Sequence, residues 1–133
     1  MTSVLEIDNL TVSFATPDGA VEAVTDVSLS VEAGECLGLV GESGSGKSQT
    51  FMAAMGLLAD NGTATGQVRL DGIDLLSATE KKLNTLRGER VAMIFQDPMT
   101  SLTPHMKIGR QLAEVLIEHQ GVDKATGRRR ALD

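Results

Sequence analysis

The stretch "GESGSGKS", residues 41–48, limits the possible folds of this chain more than any other feature. It fits the pattern G-x-x-x-x-G-K-[ST], in which a glycine-rich loop joins a strand to a helix and cradles phosphate groups. Before the loop, "CLGLV" (36–40) is a short apolar run that predicts a strand covered on both faces. After it, residues 47–58 carry apolar side chains at helical spacing. The sequence therefore predicts strand, glycine loop and helix in succession.

Each fixed position of the loop has a role in binding a nucleotide. Backbone N–H groups and the positive end of the helix dipole attract phosphate oxygens, and glycines allow their close approach. The ammonium group of Lys47 can reach the β- and γ-phosphates, and the hydroxyl of Ser48 can ligate Mg²⁺. We therefore expect Mg-ATP or Mg-GTP to bind at Gly41, Glu42, Ser43, Gly44, Ser45, Gly46, Lys47, Ser48 and Gln49.

Charge and cysteine content exclude several other classes of protein. A net charge of -6 argues against general nucleic-acid binding. Cys36 is the only cysteine, so no internal disulfide can form, and its apolar neighbours predict a small buried side chain. The N-terminus lacks the features of a signal peptide, and no apolar run is long enough to span a membrane. We expect a cytoplasmic chain whose membrane role, if any, comes through a partner.

The remaining segments predict a mixed fold. Alternating patterns over 4–14 and 21–31 predict an antiparallel hairpin, and 67–72 predicts a short strand. A capping box, Ser77 with Glu80, predicts a helix up to Arg87 with Gly88 as its C-cap. A second buried strand is expected over 91–95. A further helix ended by Gly121 is expected, with one helical stripe formed by Ile108, Leu112, Val115, Leu116 and His119.

The number of predicted central strands is too small for a complete parallel sheet. Only 36–40 and 91–95 have the apolar character of such strands, whereas sheets usually have about four to six strands. No segment after residue 95 has a strand pattern. The sequence therefore predicts an incomplete α/β domain in which the C-terminal strands of the core are absent.

Two motifs together resemble a known family. "GESGSGKS" and "MIFQDPMTSL" (93–102) are similar to the nucleotide-binding subunit of ABC transporters, above all to that of oligopeptide and dipeptide importers. The resemblance implies a P-loop NTPase fold of the ABC type, with an N-terminal antiparallel β subdomain and the first part of the parallel core sheet. Residues 1–133 would be the N-terminal part of one ABC ATPase domain. Thr103 departs from this subfamily's commoner "SLNP" wording.

The resemblance also implies roles for two residues outside the loop. Gln96 would be the Q-loop glutamine, which contacts Mg²⁺ and the attacking water and begins the loop that meets the membrane subunit. Phe14 would stack on adenine, and the antiparallel subdomain favours ATP over GTP. His105 and His119 do not fit the family's switch histidine.

Two motifs of the family are absent from residues 1–133. There is no signature of the LSGGQ type and no second strand ending in Asp-Glu, which would supply the general base. We therefore expect residues 1–133 alone to lack hydrolysis. The resemblance implies that the intact protein powers solute import, with small peptides as the favoured cargo, from the cytoplasmic face of the inner membrane. Its implied partners are transmembrane permease subunits, met by the loop after Gln96, and a second ATP-binding subunit.

Two other functions stay open at this point. A soluble ABC-type regulatory or repair ATPase would share the glycine loop but tend to lack the "QDPMTSL" wording. A P-loop kinase of a small metabolite is less well supported, because the N-terminal antiparallel strands and the Q-loop do not suit it. Binding of the loop at 97–104 to a membrane subunit would separate the first alternative from a transporter.

Overall fold

The computed structural model describes residues 2–133. For Pro98 it describes the backbone alone. The chain forms two compact units. The first ends at Leu83, and the second is Asn84–Asp133. Within residues 2–133, no helix is both long enough and apolar enough to cross a membrane.

The first unit is built on a four-stranded antiparallel sheet. Strands β1 (Ser3–Thr16) and β2 (Gly19–Glu32) form the predicted hairpin, and β3 (Gly62–Leu70) and β4 (Ile73–Asp74) follow it. The strand order is β2-β1-β3-β4, and each neighbouring pair is antiparallel. The N-terminal antiparallel subdomain expected from the sequence is therefore present, and β3 begins earlier than predicted.

An aliphatic core covers one face of this sheet. The largest fully buried side chains are Ile7, Leu10, Val12 and Val68, all of which lie on strands. Helix α1 (Lys47–Ala54) packs on β1 and β2 and buries Ala53 and Ala54. Burial of such side chains removes apolar surface from water, which holds the helix, and with it the end of the glycine loop, against the sheet.

The cap of helix α2 (Glu80–Leu86) differs from the prediction. Ser77 does not cap it, because its hydroxyl donates to Asp74 Oδ2 at 3.0 Å. The hydroxyl oxygen of Thr79 instead accepts the N–H of Lys82 at 3.3 Å. A threonine two residues further along thus takes over the N-cap role, and the helix starts at Glu80.

The second unit contains α3 (Ile108–Gln120) and α4 (Lys124–Arg130). Gly121 ends α3 as predicted, with φ of 63° and its N–H donating to Ile117 O at 3.2 Å. The predicted stripe is covered in part: Leu116 and His119 are half-buried, whereas Ile108, Leu112 and Val115 are exposed. Helix α4 packs elsewhere on α3, where a Cβ on Gly127 would lie 3.0 Å from Ile117 Cγ1. The small residue permits that close approach of α4 to α3.

The two predicted central strands do not form. Residues 36–40 and 91–95 contain no strand, Val40 is 99% exposed and Ile94 is 98% exposed. Cys36, expected to be buried, is also exposed. Apart from one isolated bridge between Arg87 and Val91, no described residue pairs with either segment. A strand needs a hydrogen-bonded neighbour and a covered face, so the first part of the parallel core sheet is not formed among residues 2–133.

Candidate functional site

The glycine loop opens directly into the first turn of α1. Lys47 is the first residue of the helix, and Gly46 is its N-cap, with φ of 96° and ψ of 4°. No side chain caps the helix. The first N–H groups of a helix have no partner within it, and together with the dipole they favour an anion. This end of α1 therefore has the donors that a phosphate group requires.

Gly46 is required for two reasons, only one of which also applies to Gly44. A Cβ at Gly46 would lie 2.4 Å from the carbonyl oxygen of Ala23 and 3.2 Å from Val24 Cγ2, so the loop ends in close contact with β2. Its positive φ is also unfavourable for other residues. Gly44 has φ of 82° but has open space around its Cβ position. The backbone of the loop is thus fixed at Gly46 and open at Gly44.

The ammonium group of Lys47 lies within the loop. Its Nζ donates to the carbonyl oxygens of Gly41 and Glu42, the latter at 2.8 Å, and to Ser45 Oγ at 3.1 Å. The loop is further closed by the N–H of Ser45, which donates to Glu42 O at 3.2 Å. A lysine ammonium has three donors, and the loop supplies an acceptor for each. The arrangement places a full positive charge beside the unpaired amide groups of the first turn of α1.

The rest of the loop is accessible from solvent. Residues 41–45 are exposed, and so is Ser48, the second residue of α1. Among residues 2–133, no three His, Cys, Asp or Glu side chains form a group that could hold a metal ion. The hydroxyl of Ser48 is a hard oxygen donor. Such a donor suits Mg²⁺, which takes few protein ligands when nucleotide phosphates supply others.

Thr50 belongs to this site although its role was not predicted from the sequence. Its side chain is only 3% exposed. Its hydroxyl donates to Gly46 O at 2.9 Å, and its N–H donates to the same oxygen at 3.0 Å. A threonine one turn after a loop can bond back to the carbonyl four residues earlier, and that spacing was the available indication.

Phe14 lies on β1, opposite Gly62 on β3. A Cβ on Gly62 would lie 2.8 Å from Phe14 Cε1, so the ring packs over the glycine, and the side chain is half-buried. A glycine beside an aromatic ring in a sheet leaves room for the ring to lie flat. The contact of Phe14 with adenine stays a prediction.

Gln96 lies in the second unit, where it is exposed on a bend. Asp97 shapes the turn after it, since Asp97 Oδ1 accepts the N–H of Met99 at 2.9 Å. His105 is exposed. His119 is half-buried, with its ring 2.7 Å from the Cβ position of Gly88. The roles predicted for Gln96 in hydrolysis and partner binding stay predictions.

Comparison with known proteins assigns the chain to a family. Residues 24–132 match the family described as ABC transporter. That match includes the glycine loop, α1 and the segment around Gln96. The chain therefore belongs to the ABC transporter family.

Curated relatives include peptide-transport proteins. Residues of this chain are 58% identical over 121 positions to the oligopeptide transport ATP-binding protein OppD of Salmonella typhimurium, covering 91% of this chain and 36% of that protein. They are 48% identical over 132 positions to the dipeptide transport ATP-binding protein DppD of Lactococcus lactis, covering 98% of this chain and 38% of that protein. The chain spans little more than a third of these relatives.

Solved structures confirm the fold class. The chain resembles the ATP-binding cassette MJ0796 in its dimeric post-hydrolysis state bound to ADP and Pi, with a TM-score of 0.79 and 25% identity over 96% of this chain and 54% of that chain. Another dimeric structure of the same cassette gives a TM-score of 0.80. The predicted ABC-type fold is thus confirmed, including its antiparallel subdomain.

Proposed function

We propose that residues 1–133 are the N-terminal part of an ABC ATPase domain that binds ATP at the glycine loop and, in the full-length protein, hydrolyses it to power peptide import. The observation that carries this proposal is the position of Lys47. Its ammonium lies inside a glycine loop that opens into an uncapped helix N-terminus. Fixed donors and a positive charge at one point are what a triphosphate needs for binding.

Different residues of the loop would bind different parts of the triphosphate. Amide groups at the start of α1 donate to phosphate oxygens, while Lys47 exchanges its loop acceptors for the more basic β- and γ-phosphate oxygens. Ser48 is the protein ligand proposed for Mg²⁺, which supplies neutralisation of the phosphate charge when bound. Gly41 and Gly46 keep the loop close to the helix, and the intervening residues with Gln49 complete the proposed nucleotide contacts.

Two further residues are proposed from the family resemblance. Phe14 would stack on the adenine ring, and Gln96 would orient the attacking water and help to ligate Mg²⁺. Positioning of water is the step that hydrolysis requires beyond phosphate binding. The general base and the signature motif would come from outside residues 1–133.

The proposed cargo and partners rest on the names of the relatives. Relatives named as oligopeptide and dipeptide transport proteins support a peptide importer, and the dimeric MJ0796 structures support a second ATP-binding subunit. We propose that the loop at 97–104 binds a transmembrane permease subunit on the cytoplasmic face of the inner membrane. Met99 and Leu102 give this loop exposed apolar side chains.

Reconstitution tests this function. The full-length protein should be combined with its permease subunits in liposomes, and ATP hydrolysis measured with and without a small peptide. We expect peptide-stimulated hydrolysis that is lost when Lys47 is replaced by Ala. Full hydrolysis without permease subunits, unaffected by peptide, would instead support a regulatory or repair ATPase. A preference for nickel over peptide would correct the cargo alone.

A further inference from the structure

A β-turn lies between the loop after Gln96 and helix α3. The N–H of Met106 donates to Thr103 O at 3.1 Å, which closes a turn over residues 103–106. Pro104 occupies the second position of this turn, where its fixed φ is favourable. The turn sets the direction of the preceding loop relative to α3.

The side-chain amide of Gln111 binds both ends of this turn. Its Oε1 accepts the N–H of Thr103 at 2.9 Å, and its Nε2 donates to Thr103 O at 3.1 Å and to Met106 O at 2.9 Å. Both amide hydrogens and one acceptor site are therefore used. Thr103, Met106 and Gln111 are all half-buried, so water competes less for these bonds than at a fully exposed site.

Only a side-chain amide combines the groups that this set of contacts needs, and asparagine, one methylene shorter, has less reach from α3 than glutamine. The turn offers one N–H and two carbonyl oxygens, so the side chain must combine an acceptor with two donors. Glutamate would keep the acceptor but set an anion against two carbonyl oxygens, and leucine would leave all three backbone groups without this partner. The chemistry of the contact thus requires a side-chain amide, whereas simple packing would accept several residues of similar size.

We propose that Gln111 is a positioning residue for the coupling loop, defined here as residues 97–106. By fixing the turn at 103–106 to α3, Gln111 positions the exposed side chains of Met99 and Leu102 for binding a partner. Met99 is 85% exposed and Leu102 is 48% exposed. That partner is the membrane permease subunit, so the proposal rests on the proposed function. Gln111 touches neither nucleotide nor cargo in this role. It keeps the loop stiff enough to transmit movement between the two subunits.

The first test measures the loop itself in the full-length protein. Amide hydrogen exchange at Thr103 is compared between wild type, Gln111→Leu, Gln111→Glu and the control Gln120→Leu. Gln120 lies on the same helix and its Oε1 accepts from Arg130 Nη1 at 2.8 Å, away from the turn. We expect exchange at Thr103 to rise by at least about tenfold in Gln111→Leu, to rise less in Gln111→Glu, which keeps the acceptor for the Thr103 N–H, and to stay unchanged in the control. Unchanged exchange in Gln111→Leu would overturn the proposal.

The second test measures coupling, which a merely structural role would not affect selectively. In the reconstituted transporter, both Gln111 variants should keep KM for ATP and basal hydrolysis within about twofold, while peptide stimulation falls about tenfold. A Leu102→Cys crosslink to the permease, made with Cys36 replaced by Ser, should weaken in parallel. Normal stimulation despite faster exchange at Thr103 would contradict the coupling role. Absence of stimulation in wild type would contradict the proposed function itself, and exchange at Thr103 would still decide whether Gln111 holds the turn.

Discussion

The hydroxyl of Thr50 lies 2.9 Å from the carbonyl oxygen of Gly46 and donates a hydrogen bond to it. The same oxygen accepts the N–H of Thr50 at 3.0 Å. Because Thr50 is buried, water competes little for its bonds to the last glycine of the loop. Two hydrogen bonds from Thr50 therefore tie the carbonyl of Gly46 to helix α1.

Loss of that hydroxyl should weaken both stability and nucleotide binding. Thr50→Val keeps the shape of the side chain but removes the donor, which should cost about 0.5–1.5 kcal/mol of unfolding free energy. Urea unfolding and ATP titration of the full-length protein measure the two effects. Thr50→Ser should recover most of the loss. Thr63→Val on the exposed face of β3 is the control, and an equal effect of both valine variants would contradict this role.

The two left-handed loop glycines should respond differently to alanine. Gly44→Ala adds a methyl group in open space, so it should cost only the backbone strain of about 1–2 kcal/mol. Gly46→Ala adds the same strain and places the Cβ against Ala23 O, for about 1–3 kcal/mol more. In thermal unfolding, the melting temperature of Gly46→Ala should therefore be clearly lower than that of Gly44→Ala. Equal melting temperatures would show that the contact with β2 does not constrain the loop.

Phe14 should act on the base of the nucleotide and not on its phosphates. Phe14→Ala should remove stacking of about 1–3 kcal/mol and weaken ATP binding accordingly. Affinity for inorganic tripolyphosphate should not change, because the glycine loop is untouched. Val21→Ala changes the cross-strand neighbour of Phe14 and serves as control. An equal loss for ATP and tripolyphosphate would mean that Phe14 only supports the fold.

The stability of helix α4 should depend on pH through Asp123. Its carboxylate accepts the backbone N–H of Thr126 at 2.6 Å, and this bond lowers the pKa of Asp123 below its usual value of 3.8. A lowered pKa in the folded state means that the stabilisation is fully present above pH 3.8 and is lost as the pH falls through the folded value.

NMR titration checks this dependence. The Thr126 amide shift in the protein should have its midpoint at a lower pH than the Asp123 carboxylate of an unfolded peptide of residues 121–133. Asp123→Asn keeps a good N-cap without a titrating group, so its Thr126 shift should not change in this range. A midpoint in the protein equal to that of the peptide would refute the role of the hydrogen bond.

Local patterns were enough to predict the hairpin, the glycine loop and the end of α3 at Gly121. These features depend on alternation, on a fixed motif and on one left-handed residue, all contained within a few positions. The strands expected at 36–40 and 91–95 depend on neighbours distant in sequence, and within residues 2–133 neither segment joins a sheet, the one pairing being the isolated bridge between Arg87 and Val91. Exposure along the predicted stripe of α3 depends likewise on packing against other elements, such as the close approach of Gly127 on α4 to Ile117.

In the candidate site, too, the features that depend on local sequence were predicted and those that depend on distant contacts were not. The motif predicted that Lys47 and Ser48 begin the helix after the glycine loop, because the loop and the first turn of the helix are adjacent in the sequence. It did not predict that the ammonium of Lys47 would bind Gly41, Glu42 and Ser45 within the loop. That contact depends on the curvature of the backbone, which follows from the left-handed glycines and the contact of Gly46 with β2.

Titration of the full-length protein with Mg-ATP in a calorimeter tests the central claim most directly. Wild type and the control Lys81→Ala, an exposed lysine on α2, should bind one ATP with equal affinity. Lys47→Ala removes a charged donor to phosphate worth about 1.5–3 kcal/mol, so its binding should be about ten- to 150-fold weaker. If Lys47→Ala binds Mg-ATP as tightly as wild type, the glycine loop is not the nucleotide site.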